Sequence, residues 1–351
     1  MLKKVIILVA TLAITFAGAN NPSNAGLDAQ IDLTNPRIVP MYVTDQIIPP
    51  NNADEASYSG FLYSSRIVFS AAHSEYYFDG SGKIINRSPK EIFVGKPNSR
   101  AGDVNGSVRV IKRIVSTNYR FDDATLGDFV VYILEKDLID IGEVKLLTKE
   151  IAKELIETRI PITMHGYGEY TDRCISGEKL PCTKKAKKTE YPRSISSRLM
   201  TLEEVESIVG YKRPQLSTSL ITNNGKQGFG CGGDSGGSVT AKYKGELLYL
   251  STTPNGMNGY ACGATGFDDG KGGFNYASPV YDHLDVISEA KRFVEEVLVA
   301  ELKQKELEKA KAEAEAKKPL KSSITCVKGK TKKKITSVNP KCPKGYSKVK
   351  G

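Results

Sequence analysis

Ser235 lies in the run Gly230-Cys231-Gly232-Gly233-Asp234-Ser235-Gly236-Gly237, in which five of eight residues are glycine. A serine on so tight a turn presents its hydroxyl to a substrate. The turn can also aim two main-chain N–H groups, those of Gly233 and Ser235, into one small space. Two donors placed in this way stabilise an oxyanion, and losing one typically costs about 3–4 kcal/mol of transition-state stabilisation. The chemistry implied is attack of a hydroxyl on an acyl carbon, for which serine needs a neighbouring base. Standing alone, the run would be an ordinary glycine-rich surface turn.

Two further elements supply what the serine lacks. Val68-Phe69-Ser70-Ala71-Ala72-His73-Ser74 runs from an apolar strand into small residues and holds one of only three histidines. Imidazole, with a pKa near neutrality, suits the role of general base. Leu126-Gly127-Asp128-Phe129-Val130-Val131-Tyr132-Ile133-Leu134 sets a carboxylate at the mouth of another apolar strand. From there it can hold the imidazole tautomer and stabilise the imidazolium. Asp122 and Asp123 compete for that role but lack the apolar strand directly after them. His73, Asp128 and Ser235 follow one another at separations of 55 and 107 residues.

These elements, with Gly166-Tyr167-Gly168, make the chain resemble the trypsin/chymotrypsin family of serine proteases over about residues 60–287. The family works through a Ser-His-Asp triad. The resemblance implies an all-β fold of two six-stranded antiparallel barrels, acting on polypeptide substrates without metal or organic cofactor. It assigns Ser235 as nucleophile, His73 as general base, Asp128 as its orienter, and the amides of Gly233 and Ser235 as the oxyanion hole. Phe229, six residues before the serine, falls in the specificity pocket, where an aromatic residue disfavours basic side chains and favours apolar or small ones. Cys231 and Cys262 match the family's bridge beside the nucleophile.

Two departures stand out. The positions of the family's bridge next to the histidine hold Tyr58 and Ser74, so both of its partners are missing together. In the family, an amine freed before Ile-Val-Gly-Gly pairs with the acid preceding the serine. Here Arg37-Ile38-Val39-Pro40 keeps the junction without the glycines, so an Ile38–Asp234 activation pair, and with it a zymogen, is one reading and an ordinary strand start is the other.

The elements that must position these residues are short. Between Tyr58 and about Val280, apolar runs rich in Val, Ile, Tyr and Phe alternate with turn residues, the pattern of an all-β barrel or sandwich. Helices are expected at 148–157 and 202–209. Beyond Val280, apolar residues at helical spacing give way to a polar Ala/Glu/Lys stretch up to Lys318, ended by Pro319. The domain boundaries read from this are a leader over 1–25, a propeptide or arm over 26–57, the protease-like domain over 58–300, a helical spacer over 301–320 and a Lys-rich tail over 321–351.

The chain ends carry their own signals. Lys3 and Lys4 precede an apolar run to Ala17, with small-x-small sites that suit cleavage after Ala19 or Ala25, the form of a secretory leader. No other segment is apolar enough to span a bilayer, so the mature chain is expected to be exported, extracellular or held at the cell surface. Export permits disulfides, and the six cysteines form three neighbouring couples: Cys174–Cys182, Cys231–Cys262 and Cys326–Cys342. Spacing alone allows 15 pairings. The segment 317–351 holds twelve lysines and no acid, and the net +10 less those twelve cations leaves about −2 for the rest. The tail is therefore the part that would seek anionic cell-envelope polymers; with one aromatic residue and no recognisable nucleic-acid fold, it gives no support to nucleic-acid binding.

Two other functions fit parts of the pattern. Gly-Asp-Ser-Gly-Gly also suits the nucleophile elbow of α/β-hydrolases, with Asp268 and His283 as later partners, although His283 opening a helix is more plainly a residue on a solvated face. A catalytically silent, protease-like binding or adhesion module is the non-enzymatic alternative. His165 has no ligand-spaced partner and reads as structural.

Overall fold

The computed structural model describes residues 29–44, 57–78, 84–86, 91–120, 127–168, 189–225, 233–253, 273–318 and 320–349. They form two compact units divided between Lys291 and Arg292. In the first unit the opening strands are β1 (Gln30–Ile31), β2 (Ile38–Thr44), β3 (Tyr58–Ser64) and β4 (Ile67–Ser70), then a 3-10 turn, Ala72–Glu75. A small hairpin, β5 (Tyr76–Phe78) with β6 (Ile84–Asn86), precedes β7 (Glu91–Val94), β8 (Val108–Val115) and β9 (Val130–Leu134).

Strands β2-β3-β4-β9-β8-β7 close into an antiparallel barrel. Period-two alternation sends one set of side chains inward: Val39, Met41, Leu62, Val68, Ile92, Val94, Val110, Val130, Tyr132 and Leu134 share the barrel core. The opposite faces of β3 and β4 are buried as well. Phe61 and Phe69 point outward onto Tyr249, with ring centroids 4.5 and 5.2 Å apart. Burial on both faces explains why these strands read as continuous apolar runs rather than alternating ones.

The second half begins at β10 (Lys145–Leu146) and continues through α1 (Lys149–Thr158), β11 (Ile162–Gly166), β12 (Arg193–Ser197), β13 (Leu199–Met200), α2 (Leu202–Val209), β14 (Leu220–Gly225), β15 (Ser238–Tyr243), β16 (Glu246–Thr252) and β17 (Gly273–Ala277). The Thr148 hydroxyl caps α1 through the Ile151 N–H. Thr201 and Glu204 form a reciprocal capping box on α2, and Gly210, in the left-handed region, ends it. Both helices lie where the sequence places them.

The strands divide into a six-stranded sheet, β1-β12-β11-β15-β16-β10, and a three-stranded sheet, β13-β14-β17. Among the described residues one six-stranded barrel closes, and the second set of strands lies in these two sheets. The edges of the larger sheet, β1 and β10, are each two residues long. The stretch 26–57, read from the sequence as a propeptide or arm, supplies β1 and β2. Ile38–Thr44 is a barrel strand bonded to β3 and β7, and Gln30–Ile31 pairs with Arg193 and Ser194.

Helix α3 (Leu284–Ala316) is one continuous element that runs through both the apolar-spaced stretch and the polar Ala/Glu/Lys stretch. Its first turns bury Val286, Ile287 and Ala290, and Lys112–Glu289 and Lys291–Glu143 ion pairs fasten this end to the barrel side of the first unit. In the second unit, β18 (Ser322–Lys328), β19 (Thr331–Ser337) and β20 (Ser347–Lys348) form a three-stranded sheet in the order β19-β18-β20. The Cys326–Cys342 disulfide closes it. Cys174, Cys182, Cys231 and Cys262 lie outside the described residues. No helix among the described residues is long and apolar enough to cross a membrane.

Membership of β2 in the barrel has a direct test. Met41 is fully buried, so Met41→Ala should lower the unfolding free energy by about 2–5 kcal/mol in denaturant melts. A change within about 0.5 kcal/mol, as for a surface site, would mean that 38–44 is an arm after all.

Candidate active site

His73 sits in the 3-10 turn that follows β4, and Asp128 immediately precedes Phe129 and β9, the strand paired with β4. Adjacent antiparallel strands therefore deliver the two side chains to the same end of the barrel. The His73 main-chain N–H donates to Asp128 Oδ1 at 2.8 Å, and His73 Nδ1 lies 2.7 Å from Asp128 Oδ2. A carboxylate accepts only, so Nδ1 carries the proton and Nε2 is left as an acceptor. Nε2 stands 2.7 Å from Ser235 Oγ. Asp128 is 5 % exposed, whereas the His73 side chain keeps 20 % of its surface open. The carboxylate is thus screened from water while the imidazole can reach a ligand.

Ser235 lies in the turn 233–236 that leads into β15. Gly236 has φ +79°, and a β carbon there would fall 1.9 Å from Ser70 Oγ and 2.4 Å from the Ser59 carbonyl, so no side chain fits. The Asp234 carboxylate turns the other way and accepts from the Gly168 N–H at 2.8 Å. A β carbon on Gly166 or Gly168 would come within 2.3 Å of that carboxyl group. This close approach is the reason for Gly166-Tyr167-Gly168.

Ser59, on β3, is the residue that sequence reasoning missed. It is fully buried; its N–H donates to the Ser235 carbonyl at 2.9 Å and its hydroxyl donates to the Gly233 carbonyl at 2.7 Å. The same hydroxyl accepts from the Tyr167 N–H at 2.8 Å, and the Ser59 carbonyl accepts from Ser70 Oγ at 2.9 Å. One barrel residue thereby grips the Ser235 turn on both sides of Asp234 and the Gly-Tyr-Gly segment. The signal available in the sequence was a polar residue inside an otherwise apolar strand.

Where the resemblance expects a disulfide, Tyr58 and Ser74 are bridged differently. The Tyr58 hydroxyl lies 3.2 Å from that of Tyr132, and the Tyr132 hydroxyl donates to Glu75, next to Ser74. Arg113 completes the chain with a 3.0 Å bond to the same carboxylate. β3, β9, β8 and the His73 turn are therefore held together by a buried polar network. Burial drives the Tyr132 hydroxyl well above the usual phenol range, so it stays protonated as a donor.

His283 is corrected from a residue on a solvated face to a buried support. It is 1 % exposed and stacks on Phe129 with ring centroids 4.6 Å apart and planes 5° from parallel. Its Nδ1 and Nε2 meet Ser116 Oγ at 3.2 Å and Ser278 Oγ at 2.8 Å. With His283 committed there and His73 against Ser235, the elbow arrangement loses its base. His165 is structural as expected: 3 % exposed, with Nε2 3.2 Å from Asp32 Oδ2. That hydrogen bond holds the Asp32 carboxyl well below the usual carboxylate range and anchors the segment joining β1 to β2.

Ile38 opens β2 as a fully buried strand residue whose carbonyl accepts from the Asn98 N–H. The Arg37 guanidinium donates to the carbonyls of Leu62, Tyr63 and Gly142, so the junction is built into the barrel end. Phe229, Asp122, Asp123, Asp268 and the Cys231–Cys262 couple lie outside the described residues. No protein-family model matches the chain, and no curated protein is similar to it.

Two outcomes are expected from this geometry. Ser59→Ala leaves the Gly233 carbonyl and the Tyr167 N–H unpaired, which should cost about 1–3 kcal/mol of stability and slow fluorophosphonate capture by Ser235 at least tenfold. Capture at the wild-type rate would mean that the hydroxyl does not set the turn. The second outcome concerns His283, whose burial lowers its pKa from 6.5 to about 4 despite opposing pulls from Asp285 and Asp128. The neutral ring stabilises the fold above pH 6.5, and that contribution is lost as pH falls toward 4, roughly 3 kcal/mol at about 1.4 kcal/mol per tenfold change in proton affinity. Denaturant melts of His283→Gln should show a shallower loss across this window; an unchanged slope would count against a buried neutral ring.

Proposed function

We propose that this chain is an exported serine endopeptidase that cleaves polypeptides through an acyl-enzyme, with Ser235 as nucleophile, His73 as general base and Asp128 as its orienter. The observation that carries this reading is the continuous line from the buried Asp128 carboxylate through both ring nitrogens of His73 to Ser235 Oγ, with two contacts of 2.7 Å. The closed six-stranded antiparallel barrel beside further sheets is compatible with the trypsin-like double-barrel fold that the sequence resembles.

In the proposed reaction, Ser235 Oγ attacks the scissile carbonyl carbon as its proton passes to His73 Nε2. Asp128 stabilises the resulting imidazolium and keeps the ring turned toward the serine. The oxyanion is received by the N–H groups of Gly233 and Ser235. His73 then gives the proton to the leaving amine, the C–N bond breaks, and an ester to Ser235 remains. Water, deprotonated by His73, attacks that ester and releases the acid and the serine. The leader over residues 1–25 supports export to the outside or to the cell surface.

The test is labelling of the processed, disulfide-bonded protein with a fluorophosphonate probe, followed by peptide mapping. Covalent modification is expected at Ser235 and nowhere else, with loss of labelling in His73→Ala and a fall of about 10⁴-fold or more in peptide hydrolysis for Ser235→Ala. An unlabelled wild-type protein would overturn the reading in favour of a catalytically silent binding module.

A further inference from the structure

The C-terminal sheet, β18 to β20, is too small to be held by an apolar core. Of its residues, Cys326 is the one buried hydrophobic side chain, joined to Cys342. Every lysine described in this sheet and its turns is exposed. The register sorts these cations into rows. Lys333 and Lys348 stand directly across from Cys326 on its two sides, so they share its face of the sheet. Lys332 and Lys334 stand across from Val327 and Thr325, on the opposite face. Along β19 the two outer lysines of the triplet repeat at about 7 Å, and across the sheet Lys333 and Lys348 are about 10 Å apart.

Like charges set side by side on a sheet oppose folding, and the segment 317–351 contains no acid to relieve them. A lysine or two on an edge strand guards against unwanted strand pairing. Twelve cations without one carboxylate go beyond that purpose, while the rest of the chain carries about −2. Such an array is stabilised by a linear ligand that brings one anion per short repeat and displaces its own counterions.

We propose that this sheet is a docking surface for a phosphodiester-linked anionic polymer of the cell envelope. The chemistry of the cations favours such a polymer over nucleic acid. All twelve are lysines, point charges that follow a backbone, with no arginine to read a base edge bidentately. The single aromatic ring, Tyr346, lies under the Lys333 ammonium at 5.7 Å and is not a free platform for stacking bases. The proposal does not depend on the hydrolytic reading, because no residue of the Ser235 site takes part.

The experiment uses the full-length processed protein and its Ser235→Ala variant on immobilised poly(glycerol phosphate), with a single-stranded oligonucleotide and neutral dextran as comparators across a salt series. Both proteins should bind the polymer at low salt, release it at high salt, and ignore dextran. Replacing Lys332, Lys333 and Lys334 together by Ser removes cations from both faces and should make the slope of log affinity against log salt shallower by about one to two, with Ser235 labelling unchanged. No binding at low salt, retention that survives high salt, an unchanged slope in the triple variant, or tighter binding to the oligonucleotide would each overturn it.

Discussion

The candidate site depends on one joint: the hold of Ser59 on the turn that carries Ser235. His73 and Asp128 are placed by two neighbouring barrel strands, whereas the serine arrives 162 residues after His73 from a different sheet. A shift of an ångström between the halves would break the 2.7 Å contact between them. Ser59 prevents that shift because its main chain belongs to the barrel while its N–H and hydroxyl hold the carbonyls of Ser235 and Gly233. A buried hydroxyl with donor and acceptor both used is strong in such a place, since the alternative is two orphaned main-chain groups away from water.

Around that joint the fasteners are polar and buried rather than covalent. The Tyr58–Tyr132–Glu75–Arg113 chain stands where the resemblance expects a disulfide, and it ties the turn holding His73 to three barrel strands. Its geometry is set by packing on all sides, which a sulfur bridge would not require. Next to Asp128 in the chain, Phe129 stacks on the buried His283, which is held by the Ser116 and Ser278 hydroxyls. Asp32 and His165 do the same service for the N-terminal segment, bringing it against the strand that leads into Gly166-Tyr167-Gly168. Each fastener joins elements distant in sequence, so the site inherits the cooperativity of the whole first unit.

The second unit follows different physics. A sheet of this size buries too little apolar surface to support itself, and its disulfide replaces a core by restricting the unfolded chain. With little to pack, its exposed positions are free to carry a dense set of lysines. The charge divides accordingly, +12 in the tail and about −2 elsewhere.

Short-range rules make part of this protein legible along the chain. The glycine run around Ser235, the small residues before His73 and the strand after Asp128 are signals of that kind. So are the helices beginning near Thr148 and Leu202 and the Cys326–Cys342 couple, which stand in the structure where the sequence puts them. Whatever depends on pairing between remote segments was settled only in three dimensions. Folding set Ile38–Thr44 between β3 and β7 in the barrel, buried His283, and gave Ser59 its four hydrogen bonds. A strand's neighbours and a buried hydroxyl's partners are fixed by which distant backbone groups would otherwise go unpaired, and no window along a single chain contains that information.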